Sequence, residues 1–326
     1  MLVLNRKDLE NLLEISEVIE AVERGFREHQ EGYSITPTRM HINIPSVEGT
    51  YLVMPSYLEK TKAFGSKIVS VYPKNIKQGK PTINSAYLLC NSENGEFISL
   101  MDGGFLTGIR TGAVSALASK YLARPDASTL GIIGTGHQAQ YQVAAICAVR
   151  PIDKIVAYDV MEDILNKFVE QTPKVLNIPT IKKISPAQVV RESDILVTVT
   201  TSSSPVFKYS DIKDRCHINA VGAFTPQMQE IESQLLQNSL VVVDTYEGCL
   251  KEAGDILIPI KKGEFSKTKI HAELGEIILG LKPGSTHDNQ ITLFKSVGVA
   301  FEDLVTAKLA FNKALQLGIG MKCDLD

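Results

Sequence analysis

The sequence predicts an α/β fold in two parts, a doubly wound parallel sheet and a smaller α+β domain. Three observations carry this. The stretch "LGIIGTGHQA", residues 130–139, joins a short apolar run to a helical one through closely spaced glycines. Beyond it, apolar runs alternate with helical segments to about residue 297, as in a parallel sheet covered on both faces. Before it, strand-like runs follow one another without helices between them, as in an antiparallel or mixed sheet. A chain of 326 residues is long enough for two such domains.

The elements read in order as follows. "NRKDLENLLEISEVIEAVERGFREHQEG" carries apolar residues at helical spacing with a break near Ile15–Ser16, which predicts two helices. "RMHINIP", "TYLVMPSY", "SKIVSVYP" and "INSAYLLC" alternate as strands. In "SAYLLCNSENGEFISLMD" the Asn94-Gly95 pair between two such runs signals a hairpin. "FLTGIRTGAVSALASKYLA" is a helix of small residues, ended by Arg124-Pro125. "TLGIIG", "KIVAYD", "TIKKI", "DILVTVTT", "HINAVGA" and "LVVVDTY" then supply the parallel strands. "QITLFKS" is the last strand-like run, and "VAFEDLVTAKLAFNKALQLG" is a closing amphipathic helix. The expected division is residues 120–297 for the doubly wound domain and 1–119 with 298–326 for the other.

Composition narrows the class. With 44% hydrophobic and 22% charged residues the chain has the balance of a soluble globular protein. No segment approaches the roughly 20 apolar residues of a membrane helix. "MLVLNRKDLE" becomes charged too soon for a signal peptide. A net charge of −3 and scattered basic residues argue against a nucleic-acid partner. Five cysteines without C-x-x-C spacing read as reduced thiols in a cytoplasm, and six histidines form no metal pattern, so no metal is assigned.

The opening stretch can now be weighed. Gly134 follows a buried-type strand, Gly136 opens the helical run, and Ala139 stands where a third small residue belongs in a dinucleotide fingerprint. Glycines at Gly134 and Gly136, around Thr135, let the backbone approach a pyrophosphate at a helix N-terminus. The next strand ends in Asp159, placed to hydrogen-bond adenosine ribose hydroxyls and to repel a 2′-phosphate. The alternative is a glycine turn without a nucleotide. Strand, turn, helix, second strand and acid in that order favour a Rossmann-type nucleotide site.

Two further turns, "TTSSSP" at 200–205 and "GAFTP" at 222–226, stand at strand carboxyl ends, although Ser, Gly and Pro are also ordinary turn residues. In the first domain Arg39, Lys67 and Arg110 stand out. Solvated surface is the usual place for such residues, but an Arg–Lys fork near strands suits a carboxylate. Arg110 reads as lying near a helix start, where the dipole disfavours a cation, so it should have an anionic partner. His271 and Glu273 could reach a cleft, with a structural role the plainer reading.

On "KPTINSAYLL", "LTGIRTGAVSALASKYLAR", "IIGTGHQAQYQ", "HINAVGA", "IHAELGEIILG" and "FKSVGVAFEDLVTAK", the chain resembles the ornithine cyclodeaminase/mu-crystallin family over nearly its full length. The resemblance implies a homodimer whose first domain, with the C-terminal helix, provides dimer contact and substrate pocket. Its second domain would bind NAD(H) or NADP(H). It implies that Arg39 and Lys67 hold a substrate carboxylate, with Lys67 also near the reacting nitrogen. Thr82, Arg110, His137, Gln138, Asp159, Thr200, Val221 and Ser296 would line the cofactor, with Arg110 also counted among the substrate-binding residues. Where the cyclodeaminases carry an aspartate as acid/base, this chain has Phe224, in a turn that looks like that of the family's imine reductases. Phe224 is accordingly counted with the cofactor-lining residues.

The expected function is NAD(P)H-dependent reduction of a cyclic imino acid, with Δ1-pyrroline-2-carboxylate giving proline, and Lys67, or a water it holds, keeping the imine protonated. An alanine-type dehydrogenase, an ornithine cyclodeaminase and a non-enzymatic NAD(P)H-binding protein are the alternatives.

Overall fold

The computed structural model describes residues 1–285 and 289–324. Residues 286–288 and 325–326, which fall within the two predicted domain spans, lie outside the described residues. The chain divides into two compact units, Met1–Arg110 with Val299–Asp326, and Thr111–Gly298.

The first unit is built on an eight-stranded mixed sheet. Its centre is the antiparallel run Gly49–Leu58, Ala63–Val71, Ile83–Cys90 and Phe97–Asp102. Met40–Ile44 and Ser34–Ile35 pair with Gly49–Leu58, and Leu2–Leu4 runs parallel to Phe97–Asp102 with Met321–Lys322 at its other side. Leu2–Leu4, Ser34–Ile35 and Met321–Lys322 are too short to show alternation in the sequence. The hairpin at Asn94-Gly95 forms with Gly95 at φ +78°, and Asn91 N donates to Glu96 O at 2.8 Å to close it.

Alternation sends Leu52, Met54, Leu58, Lys67, Val69, Tyr87 and Leu89 to one buried face. The helix Ala300–Leu317 covers it, packing on Gly49–Leu58, Ala63–Val71 and Ile83–Cys90. Behind it lies Ile15–Gln30, whose buried Val18, Ile19, Val22 and Phe26 recur at helical spacing. Gly25 admits the close approach: a Cβ there would stand 3.1 Å from Val305 and 3.2 Å from Phe301. The expected helix break falls earlier, at Leu13–Glu14, because Arg6–Leu12 is closed by an extended Leu13.

The second unit is a fully parallel eight-stranded sheet in the order Thr180–Lys182, Lys154–Tyr158, Thr129–Ile133, Ile195–Thr198, His217–Ala220, Thr292–Lys295, Leu240–Val243 and Ala272–Glu273. Alternate strand residues face opposite layers. Leu130, Ile132, Ile155 and Val197 pack with Val143, Ile146 and Phe168, whereas Ile133, Val156, Leu196 and Ile218 pack with Val189, Leu235 and Ile256. That explains the near-continuous apolar runs. The order reverses between Thr129–Ile133 and Ile195–Thr198, so their carboxyl ends flank the switch point where open α/β sheets bind ligands. Among the described residues no helix is long and apolar enough to cross a membrane.

Asp194 fixes these two strands. Its carboxylate accepts the amides of Ser128 at 3.0 Å and Thr129 at 2.9 Å and pairs with Lys213 and Arg124, both at 2.5 Å. Burial alone would raise its pKa, but Lys213, the two amides and Arg124 hold it far below the usual carboxylate range. A depressed folded-state pKa contributes stability above the unfolded pKa, and that contribution is lost as pH falls towards the folded one. Asp194→Asn is therefore expected to lower stability by about 2 kcal/mol near neutrality, less than a fully buried pair because its cations reach solvent. The gap from wild type should shrink below roughly pH 4 in urea titrations; a gap independent of pH would refute the assignment.

Candidate active site

At the switch point Gly134 has φ +91°, and a Cβ on it would stand 2.9 Å from Val199 O. Glycine alone satisfies both conditions. Residues 136–138 form a turn, Ala139 N donating to Gly136 O, and the helix begins at Ala139. The expected start at Gly136 is corrected by these three residues. The helix Ala139–Cys147 has no side-chain cap at its N-terminus, so its first amides are left to the turn. His137 is exposed with its ring 5.4 Å from that of Tyr141, and Gln138 Oε1 is buried without a hydrogen-bond partner among the described residues. Asp159 Oδ2 accepts from Thr135 N at 2.6 Å and Thr135 Oγ1 at 3.2 Å, while Oδ1 accepts from Met161 N at 2.8 Å. The acid is thus oriented by the glycine turn itself.

The next two strand ends are joined by a residue that sequence reasoning missed. Buried Glu230 accepts from Thr200 N and Oγ1 at 2.6 and 2.8 Å, from Thr198 Oγ1 at 3.0 Å, and from Gly222 N and Ala223 N at 2.8 and 3.1 Å. Its own amide donates to Asp255, which pairs with buried Lys295 at 2.8 Å. Burial, with Asp255 close by, pushes the Glu230 carboxyl up; Lys295 and the Thr200 donors oppose this. Gly222 fits only without a side chain, since a Cβ would lie 2.3 Å from Thr200 O. The hydroxyl of Thr200 is therefore committed inside the protein. Ser296 is committed too, its Oγ donating to Asp244 at 3.0 Å. Val221 is buried with its amide on Thr198 O, and Phe224 projects with 37% exposure.

In the first unit Lys67 and Arg110 are buried together. Lys67 Nζ donates to Asp303 Oδ2 at 2.8 Å and to Thr107 Oγ1 at 3.1 Å. Arg110 Nε donates to Asp303 Oδ1 at 3.2 Å, and Nη1 to Glu302 Oε2 at 2.6 Å. Burial lowers the Lys67 pKa to about 8; Asp303 opposes this, and Arg110 and Arg39 add to it. Asp303 is held below the usual carboxylate range because Arg110 and Lys67 outweigh its burial. Arg110 lies well inside the helix Gly103–Leu122, not in its first turn. Its need for anions comes from burial rather than from the helix dipole. Arg39 is half-buried just before Met40–Ile44, within electrostatic reach of Lys67. Thr82 is half-buried just before Ile83–Cys90, its carbonyl accepting from Tyr72 N.

Neither Asp303 nor Glu302 was singled out in the sequence. The available signal was two adjacent acids set among the apolar Ala300, Phe301, Leu304 and Val305 at the start of the closing helix. His271 and Glu273 are structural: His271 Nε2 meets Pro283 O at 2.9 Å, and Glu273 accepts from Tyr246 N and caps Leu274–Ile278.

The sequence pattern of the ornithine cyclodeaminase/mu-crystallin family matches residues 1–317. The chain is 43% identical to a Delta(1)-pyrroline-2-carboxylate reductase of Bacillus cereus, over 99% of this chain and 100% of the relative. The structure of Thermococcus litoralis Delta(1)-pyrroline-2-carboxylate reductase, in complex with NADH and L-proline, superposes with a TM-score of 0.97 at 45% identity, covering 99% and 100% of the two chains. An archaeal alanine dehydrogenase dimer with bound NAD superposes with a TM-score of 0.94 at 34% identity, covering 100% and 99%.

Glu230→Ala is expected to lower stability by about 3–5 kcal/mol, because amides of three residues and two hydroxyls lose a shared acceptor in a buried setting. Chemical denaturation measures it; a loss under about 1 kcal/mol would show that the strand ends do not depend on this carboxylate.

Proposed function

Because the chain belongs to the ornithine cyclodeaminase/mu-crystallin family, we propose that it is an NAD(P)H-dependent oxidoreductase reducing the C=N bond of a cyclic imino acid, Δ1-pyrroline-2-carboxylate to L-proline. The observation that carries this reading is the full-length likeness to the reductase that holds NADH and L-proline. Phe224 supports it, since a phenyl ring can neither take nor give the proton that cyclodeamination requires at that turn.

The chain's residues fit the cofactor. The Gly134 turn lets the backbone approach a pyrophosphate, and the helix that begins at Ala139 adds its dipole. The Asp159 carboxylate, steadied by Thr135 and Met161, retains lone pairs for ribose hydroxyls. The bound nicotinamide supplies the hydride. In the first unit Arg39 and Lys67 hold the substrate carboxylate, and the Lys67 ammonium keeps the imine nitrogen protonated. Arg110 gives two of its five N–H donors to Asp303 and Glu302, and the guanidinium adds its charge to the attraction for the substrate carboxylate.

A second copy of this chain is the proposed partner. The sheet face opposite the helix Ala300–Leu317 displays Tyr51, Val53, Tyr57, Phe64, Ile68 and Leu88, with Met40 and Ile42 on the strand Met40–Ile44 more than 45% exposed. An apolar face of that kind marks an interaction surface, and the archaeal neighbour is a dimer. All five cysteines are free, which supports residence in a reducing cytoplasm.

NADH oxidation with Δ1-pyrroline-2-carboxylate is expected to be robust, and ammonia release from L-ornithine plus NAD negligible. Comparable rates in the two assays would overturn the assignment. Lys67→Met should abolish turnover while leaving NADH binding near normal; wild-type kinetics would make Lys67 a bystander. Asp159 should favour NADH, and an affinity for NADPH more than about tenfold tighter, roughly 1.4 kcal/mol, would reverse that preference. Gly134→Ala should weaken NADH binding by at least about tenfold in a nicotinamide-fluorescence titration, since its Cβ would displace Val199 or the turn.

A further inference from the structure

We propose that Asp303, together with Thr107, positions the Lys67 ammonium so that a single N–H is left for the substrate; this rests on reading Lys67 as part of the imino-acid site. An ammonium carries three N–H donors and no acceptor. One goes to Asp303 Oδ2 at 2.8 Å and a second to Thr107 Oγ1 at 3.1 Å. The Thr107 hydroxyl proton is given to Gly103 O at 2.7 Å, so its oxygen can only accept from Lys67. Asp303 is itself fixed, its second oxygen taking Arg110 Nε while Arg110 Nη1 is held by Glu302. Lys67 is 2% exposed and Asp303 and Glu302 fully buried, so water does not compete for these directions.

The surroundings of Lys67 leave Asp303 its strongest support. Its cross-strand neighbours are Met54, which carries no charge, and Tyr87, whose phenol burial keeps neutral. The helix Gly103–Leu122 contributes Arg110, the segment before Met40–Ile44 contributes Arg39, and Ala300–Leu317 contributes Asp303 and Glu302. Burial and both arginines favour loss of the Lys67 proton; Asp303 opposes them. With a folded-state value of about 8, the ammonium is present below that pH and lost as pH rises through it. Removing the Asp303 charge moves that loss to lower pH.

The test is the pH profile of kcat/KM for imine reduction, with NADH binding followed by fluorescence in the same samples. In wild type the alkaline limb is expected near the Lys67 value. In Asp303→Asn it should move down by about one unit or more, a tenfold loss at fixed pH on the limb, with NADH binding unchanged. Asp303→Glu should return the limb towards wild type. Thr107→Val should raise KM more than it lowers kcat and leave the limb in place. A uniform fall in kcat/KM with an unmoved limb in Asp303→Asn would reduce Asp303 to a structural role and overturn the proposal. A direct measurement independent of turnover is the ¹⁵N-lysine NMR titration of Lys67, its signal identified by loss in Lys67→Met. Should Asp303→Asn fail to fold, wild type decides: Lys67 ammonium protons that exchange with water as fast as those of an exposed lysine would overturn the proposal. Wild type without imine turnover would sink the functional reading, and the NMR titration would then settle the hold of Asp303 on Lys67 alone.

Discussion

A carboxylate shut away from water must receive its hydrogen bonds from the protein, and both units are organised around that constraint. Asp303 and Glu302 are fully buried and draw in Lys67 and Arg110. Glu230 gathers donors from the ends of two neighbouring strands, and Asp255 is matched by Lys295. Asp244 accepts from Thr245 N, Ser296 Oγ, Val297 N and Gly298 N, fixing the chain where it leaves the last long strand. Each of these acids joins segments far apart in the sequence. None could be emptied of its partners without leaving a buried group unsatisfied.

The same constraint explains why the candidate site is held rigidly. A turn at the end of a strand is ordinarily the mobile part of an α/β domain. Here Thr200 and Gly222, at two such ends, share one acceptor, and a Cβ on Gly222 would collide with Thr200 O. Asp159 is held by the turn whose ligand it would help to bind. Groups fixed before binding lose little freedom on binding, which is where preorganised sites gain their selectivity.

How much of this was legible in the sequence follows from how local each signal is. Gly134 and Asp159 could be read because strand, turn, helix and acid follow one another within one βαβ unit. The parallel sheet could be read because strands buried on both faces are apolar throughout. Glu302 and Asp303 could not, since acids in a first helical turn look like ordinary dipole partners. Their cations, Lys67 and Arg110, lie more than 190 residues away. Glu230 was hidden for the same reason, because "PQMQEIE" reads as a polar loop until the strand ends close over it. Arg110 was half legible. The demand for an anion was right, but its cause was burial and not the helix end.

The charge balance of the first unit then bears on the chemistry. Lys67, Arg110, Glu302 and Asp303 sum to no net charge. A protonated cyclic imino acid is likewise a zwitterion, with a ring iminium and a carboxylate attached to its carbon. A bare buried lysine would attract the carboxylate but repel the iminium, whose protonation makes the carbon electrophilic. With Asp303 bound at 2.8 Å, Lys67 would, on the proposed reading, meet the substrate as one half of a neutral pair. It can still donate a directed hydrogen bond, while its field falls off faster than that of an isolated charge. In the proposed site Arg39, half-buried and within electrostatic reach of Lys67, would add the net attraction for a carboxylate. On that reading the paired arrangement would separate two demands that a single cation sets against each other: recognition of an anion, and tolerance of a cation two bonds away.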